Sequence, residues 1–595
     1  MEVTHPVSHF CFALSLSLSG CPSGGQEAGS TTDIAATDSD MDEMPAPIVD
    51  AKFVEQLIEE AKQEREEQTA SAVKPESLEA LDEMVEWEEM PVADTYELYK
   101  EHLAESQPLV TVEAALEIHN TSPEANEKIL SALGRPPESD SDVGWDRTIT
   151  RALPADVKST NPLMISSTAE FEVLGLTNAG LFTFDWNFTP YASADTVKSW
   201  HASKDRLYDK VVMRDDLTWS DGTPITAHDV AFSFNTIMDE RIPIPAVRSG
   251  TDQIEFVEAF DDHTVVFGHK QALATNIWNV NFPLIPKHIY ENSIDDDVTM
   301  GESEYHLKYE RDPVVGGPYK IVKRIEKQEI LVERREEWFQ KDGVQIRRKP
   351  FFKQIRFRII SDPNTALLAL KKGEIDDWEL SPEQWQSQTT DDEFYQKNTK
   401  AYGLEWTYAY IGWNINTPYF SDKRVRWAMS FTLDHDEMLT NLLYGLYEPC
   451  LGVYHKAAWM APKPMPQPLH QNLDRAEALL DQAGWTDTDG DGYRDKEIDG
   501  KKVKFEFTLI FNSSSPTAPQ IAELMKENLD QIGVSCLVKP TEFTVMQEKS
   551  RKHEFHAQLA GWGTGADPST SDNLWKTGEG RNFVQYSNPT VDTLF

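Results

Sequence analysis

Asp487, Asp489, Asp491 and Asp495, with Gly492 among them, spell D-x-D-G-D-G-x-x-D. Oxygen ligands at alternating positions, a Gly at the sixth and the Tyr493 carbonyl at the seventh match the first part of a Ca2+ loop. The twelfth position, where such a loop needs a bidentate Glu, is Ile498, and Glu497 falls one place early. Both a structural Ca2+ and a solvated acidic turn leading into a hairpin fit this spacing. His553-Glu554-Phe555-His556 resembles a zinc motif only superficially, because its spacing is not His-Glu-x-x-His. The sequence has no G-x-S-x-G, no phosphate-binding loop and no Cys/His nucleophile pair. Carboxylates are too plentiful for one acid/base pair to stand out. No motif here points to catalysis or to a required cofactor, and Ca2+ is the one candidate ion.

Four cysteines serve 67.6 kDa. Cys450 and Cys536 are not spaced like metal ligands and read as buried free thiols. Cys21 ends the tetrad Leu18-Ser19-Gly20-Cys21 after the apolar run from Phe10 to Gly20. That run falls short of the ~18–20 apolar residues of a membrane-spanning helix and suits the core of a signal peptide. The tetrad resembles a bacterial lipobox, in which the Cys becomes the lipidated first residue. Glu2, and the absence of Lys or Arg before the run, depart from the basic start of such peptides. The competing reading is an unstructured N-terminus with an incidental Cys.

Charge divides the chain. Residues 1–145 carry 32 acidic and 7 basic side chains, and the remaining 450 carry 68 and 49. An acidic appendage on a moderately acidic body repels nucleic acid and anionic lipid, so nucleic-acid binding is excluded. Residues 51–67 place Phe53, Val54, Leu57, Ile58 and Ala61 on one helical face, and segments near 77–90, 95–104, 111–119 and 123–133 also read as helices. From Trp145 the pattern is α/β. Residues 211–213 form a strand, Asp221-Gly222 a tight turn, and Thr226 with Asp229 a capping box opening the helix 227–238. Capping boxes recur at Asp434/Glu437 and Asp474/Glu477, the latter helix closed by Gly484. A helix with Ile521, Leu524, Met525, Leu529 and Ile532 on one face ends at Gly533, and residues 534–538 follow as a strand.

Read as whole segments, the chain from about 150 to its end resembles the family 5 extracellular solute-binding proteins, the dipeptide-, oligopeptide- and nickel-binding group. VVMRDDLTWSDGTPITAHDVAFSFNTIMD (211–239) carries the resemblance most strongly. PLIPKHIYE (283–291), PVVGGPYKIV (313–322), IGWNINTPYFSDKRVRWAMSFTLD (411–434), RAEALLDQAGWTDTDGDGYRD (475–495) and LAGWGTGADP (559–568) follow in the family order. The family's Gly-Thr-Gly-Pro-Tyr turn stands here as Val315-Gly316-Gly317-Pro318-Tyr319. Family members continue beyond the point matching Phe595 with elements returning to the first lobe, so this chain is expected to stop short of them.

The resemblance implies a two-lobed periplasmic-binding-protein fold of type II, with an extra subdomain inserted in lobe I and an acidic helical extension in front. Residues 1–21 are expected as a lipoprotein signal peptide, 22–145 as tether and helical extension, 146–190 and 313–408 as lobe I, 191–312 as the insert and 409–595 as lobe II. It implies a monomeric, lipid-anchored extracytoplasmic receptor that captures a peptide or similar small solute and presents it to the permease of an ABC importer. The alternative is a sensory or cell-surface interaction protein on the same fold. Gly561, Trp562 and Gly563 match the family's ligand-facing strand, with Trp562 as a core aromatic the competing reading. Asp567 is the nearest carboxylate to the family's ammonium clamp, whose matching position is Gly565. Pro519-Gln520 stands where dipeptide binders place a carboxylate-holding Arg. Trp413 and Asn414, where the chain crosses between lobes, either line the cleft or pack the hinge.

Overall fold

The computed structural model describes residues 71–105 and, with short interruptions, the longest at 564–571, residues 137–594, together with Gln56, Ile58 and Glu59. Three separate sheets organise these residues, each with its own apolar core.

The first is five-stranded, in the order Trp87–Met90, Val197–Ser203, Tyr208–Met213, Thr264–His269, Ile254–Ala259, every neighbouring pair antiparallel. The helix Ala227–Met238 covers it. Thr226 and Asp229 close its capping box reciprocally, and Val230, Phe234 and Ile237 face the core with Trp200, Val211 and Phe267. Those apolar residues stand three to four apart, as a helix with one buried face requires.

The N-terminal extension belongs to this body. The segment read as one helix over 77–90 is a helix only over Leu78–Met84, capped by Ser77, and then the strand Trp87–Met90 pairs with Val197–Ser203. Leu81 and Val85 pack against Leu207, Tyr208 and Val266, and the Tyr208 hydroxyl bonds both N–H and C=O of Val73. Trp87, Glu88, Glu89 and Met90 do not alternate, and their apolar residues three apart suit a helix, so period alone does not reveal the strand. The helix expected near 95–104 is present as Thr95–Glu105. Those expected near 111–119 and 123–133, and most of 51–67, lie outside the described residues, as does the apolar run before Cys21.

The second sheet takes Thr148–Leu153 from one side of the long insertion and Tyr319–Ile325, Glu329–Arg334 and Gln354–Ile359 from the other. Thr148–Leu153 runs parallel to Gln354–Ile359 at its edge. The Val315–Tyr319 turn ties it to the insert. A Cβ on Gly317 would meet the Asn178 carbonyl oxygen at 2.6 Å, so the backbone approach there demands glycine. The buried Arg335 guanidinium donates to the Val315, Gly317 and Thr218 carbonyls and pins the turn.

The third sheet runs Thr407–Trp413, Ala557–Gly563, Glu506–Asn512, Ser535–Thr541. Glu506–Asn512 is parallel to both neighbours, and Thr407–Trp413 is antiparallel to Ala557–Gly563. The helix Ala518–Gln531 lies on one face, stopped by Gly533 at φ 71. The helix Leu473–Gln482 packs there too, but its cap is Asn472, which accepts the Arg475 N–H, in place of the Asp474/Glu477 box. The strand expected over 534–538 begins one residue later and runs to Thr541. Cys536 is buried in this core, its thiol pushed up to about 12 by burial, whereas Cys450 is exposed and not a buried thiol.

Candidate functional site

Pairing of Thr407–Trp413 with Ala557–Gly563 sets Tyr408 opposite Trp562, Tyr410 opposite Ala560, and Trp413 opposite Ala557. Side chains on paired positions share a face and alternate along each strand. Tyr408, Tyr410 and Trp562 therefore stand on one face of the sheet, and Trp413 on the other.

Trp413, half-buried like Trp562, packs against a closed core. Its ring lies 4.8 Å from Phe420 and 5.9 Å from Phe507, both fully buried. Asn414 is 3% exposed. Its amide donates to the His553 and Phe555 carbonyls and its oxygen accepts the Asn416 N–H, so no polar atom is left to a ligand. In the structure both residues pack against the interior of the third sheet.

Trp562 is half-buried, 5.5 Å from Phe583 and 39° inclined to it. Tyr410, Trp575 and Tyr586 complete an aromatic wall on this face. Burial pushes the Tyr410 phenol up to about 12, tempered by nearby Trp562 and Gln558. Burial also raises Tyr408. The Tyr408 hydroxyl and Trp575 indole nitrogen are enclosed and complete no hydrogen bond of normal geometry, although Trp575 lies near enough to moderate the rise. The sequence reading missed Tyr408, Trp575 and Phe583. The period-two spacing of Tyr408 and Tyr410 carried the signal, but period alone does not say which face a ligand uses.

The backbone beside Trp562 is more informative still. Ala557–Leu559 pair on both sides, with Trp413–Ile411 and with Leu509–Phe511. From Ala560 to Gly563 the strand pairs only with Tyr410–Thr407, and among the described residues its other edge is open. Gly561 and Gly563 are exposed, and a Cβ on Gly561 would stand 3.0 Å from the Tyr408 carbonyl oxygen. Asp567 and Gly565 lie outside the described residues. Pro519 and Gln520 are exposed at the start of the helix Ala518–Gln531 and bring no charge there.

Across from this wall, Phe184 and Trp278 of the first body form a cluster with Tyr454, Ala461 and Met465 of the third. Tyr454 is close enough to Tyr408 to add to its raised pKa. Tyr447 sits between Glu379 and Glu405; its pKa is raised by burial first and then by those two carboxylates. Residues from distant parts of the chain thus meet near Tyr408.

The acidic loop lies apart from this wall. One carboxylate oxygen each from Asp487, Asp489 and Asp491 falls within 4.8 Å of the others, all exposed. Asp487 accepts the Gly490 and Gly492 N–H groups, shaping the loop. Lys502 lies 2.6 Å from Asp489 and 3.1 Å from Asp495, and Lys504 lies 3.2 Å from Asp491. Asp495 accepts the Thr488 N–H and hydroxyl and shares Lys502 with Asp489, and its carboxylate is not one of the three that cluster within 4.8 Å. Three carboxylates fit a hard cation, but two ammonium groups already balance them. His553 and His556 do not converge as ligands: each Nδ1 is engaged by backbone, with the Phe583 carbonyl and the Thr508 N–H respectively.

A sequence model of the family described as bacterial extracellular solute-binding proteins, family 5, matches residues 193–583. The oligopeptide-binding protein AppA of Bacillus subtilis is 28% identical over 392 residues, covering 64% of this chain and 68% of AppA. The structure of AppA with a nonapeptide superposes at a TM-score of 0.66 and 24% identity, covering 76% of this chain and 86% of that one. NikZ of Campylobacter jejuni, in complex with Ni(L-His), superposes at 0.63 and 22% identity, covering 75% and 85%. These likenesses establish the two-lobed fold.

Proposed function

Because the chain belongs to the family 5 bacterial extracellular solute-binding proteins, we propose that it captures an extended peptide between its lobes and presents it, chemically unchanged, to the permease of an ABC importer. The observation that carries the peptide is the open edge of Ala560–Gly563. An extended peptide adds to such an edge through main-chain hydrogen bonds, largely regardless of sequence, while adjacent side-chain walls select among residues. Trp562 and Phe583 form the wall beside that edge. AppA, the 28%-identical relative, is named for oligopeptide binding, which agrees with this chemistry.

Ligand favours the closed form only to the extent that both lobes touch it. The meeting of Phe184 and Trp278 with Tyr454, Ala461 and Met465 supplies a contact that lobe closure makes and opening breaks. No described helix is long and apolar enough to cross a membrane. Attachment to the outer membrane surface of the cell would come through Cys21 as a lipidated residue, and Cys21→Ala then releases the protein to the soluble fraction or blocks its processing.

Native mass spectrometry of purified protein tests the central reading. The expected result is a set of co-purified peptides, with compaction in X-ray scattering when peptide is restored to the stripped protein. Co-purification of a metal chelate or sugar in their place would overturn the peptide assignment.

A further inference from the structure

The N-terminal extension crosses three separate parts of the molecule. Its strand Trp87–Met90 closes the edge of the first sheet. Just beyond it, Val92 and Ala93 pair in parallel with Ala192 and Ser193, and the Pro91 and Ala93 carbonyls accept the Ala192 and Ala194 N–H groups, both at 2.9 Å. Asp94 then accepts the Tyr96 and Glu97 N–H groups and opens the helix Thr95–Glu105. Tyr96 brings the run against two segments that lead into the second sheet. Arg348 Cζ lies 3.3 Å from its ring centroid, and Phe351, 5.7 Å away, stacks in turn on Trp145.

What the extension grips is the strand beside Phe184. Pro190–Ser193 is the middle of a three-stranded sheet, with Val92–Ala93 on one side and Phe182–Phe184 on the other. Phe182 and Phe184 share a face of that sheet. Phe182 is sunk in the first core against Trp200, while Phe184, two residues on, packs with Trp278, Tyr454, Ala461 and Met465. The Tyr191 hydroxyl donates to the Thr95 hydroxyl, where the helix of the extension begins. A two-stranded hairpin is marginal by itself, and a third strand or a packing partner is needed to hold it. Without the extension, Phe184 would stand at the end of a hairpin anchored through Phe182 and Ala192.

We propose that the extension is a positioning strap for solute capture: by completing this three-stranded sheet it holds Phe184 at the contact with Tyr454, Ala461 and Met465 that lobe closure makes. This rests on the reading of that contact given above and adds a part for the extension that needs no contact with solute. Pro91, Ala93, Thr95 and Tyr96 act through Phe184. Loosening them therefore weakens binding only as far as losing the Phe184 ring does.

Hydrogen–deuterium exchange read by mass spectrometry, together with calorimetry against penta-alanine, tests the strap in the full chain. Asp94→Ala combined with Tyr96→Ala should speed exchange in residues 182–194 and weaken penta-alanine binding by about threefold to tenfold. Phe184→Ala should weaken it at least as much. Adding the two strap substitutions to Phe184→Ala should cost nothing further, since losses that share one route are not additive. Additive losses, or unchanged affinity once exchange has risen, overturn the proposal. Tyr208→Phe frees Val73 at the other end of the extension and should leave affinity unchanged; an equal loss there would mean general loosening and would sink it. Should the double variant not fold, Tyr191→Phe removes only the bond to Thr95 and is read by the same cycle. If wild type does not bind penta-alanine, the peptide reading fails by itself, and the strap is judged on exchange alone. The strap variant and Phe184→Ala should then speed exchange around Tyr454 and Ala461 alike, and protection kept there in the strap variant overturns it.

Discussion

Trp413 and Trp562 stand on adjacent strands of one sheet and serve opposite faces. On the Trp413 face, Phe420 and Phe507 surround the ring, Asn414 uses all its polar atoms internally, and two helices seal the layer. On the Trp562 face, among the described residues, the indole has one ring neighbour, the Tyr408 hydroxyl and Trp575 indole nitrogen complete no hydrogen bond of normal geometry, and the strand edge is open. One face is finished by the protein itself. The other has the composition of a core but is left short of partners, which is the signature of a surface completed by something else.

Substitutions can break that contrast. Trp413→Ala should cost about 3–5 kcal/mol of stability, the range for truncating an aromatic in a packed core, measured by chemical denaturation. A loss under about 1 kcal/mol would mean the face is looser than its ring distances indicate. Asn414→Ala should cost about 1–3 kcal/mol, because the His553 and Phe555 carbonyls lose their donor in a buried setting; peptide affinity should be unchanged.

Trp562→Ala sharpens the comparison from the other side. Peptide affinity should fall about tenfold to a hundredfold, matching about 1.5–3 kcal/mol of apolar burial, while stability falls less than in Trp413→Ala. Equal losses of stability in the two variants, with affinity intact, would assign Trp562 to packing. The smallest effect belongs to the acidic loop, which touches neither face. We propose at most weak Ca2+ binding there, since Lys502 and Lys504 already sit among the carboxylates. With free Ca2+ near its Kd the gain is about 0.4 kcal/mol, and Asp489→Asn should abolish it. A shift worth about 2.7 kcal/mol, the value at a hundredfold excess over Kd, would reveal a tight site instead.

Much of this was legible before any coordinates. The capping box at Thr226 and Asp229, the stop at Gly533 and the α/β texture are local signals, and each appears where its chemistry requires. Trp562 was singled out only through the resemblance of 559–568 to the family's ligand-facing strand. What stayed hidden was pairing at a distance. Nothing local tells that Trp87–Met90 joins a strand more than a hundred residues on, or that Asn414 reaches forward to Phe555. Trp413 and Trp562 look alike in sequence because the two-residue alternation of a strand assigns faces only once its partner strand is known.

The stitching of the extension to the first sheet sets an order in time. Val73 is held by the Tyr208 hydroxyl, 135 residues further along, and Ala72 by the His269 carbonyl. At ordinary rates of synthesis, roughly 5–20 residues per second, Val73 is made roughly seven to twenty-seven seconds before Tyr208 exists. The earliest part of this stretch is thus among the last to be fixed. Through that wait Glu76, Glu79, Asp82, Glu83, Glu86, Glu88 and Glu89 keep a segment that also carries Leu78, Leu81, Val85 and Trp87 charged and solvated, so that it reaches its sheet edge without first pairing with another chain.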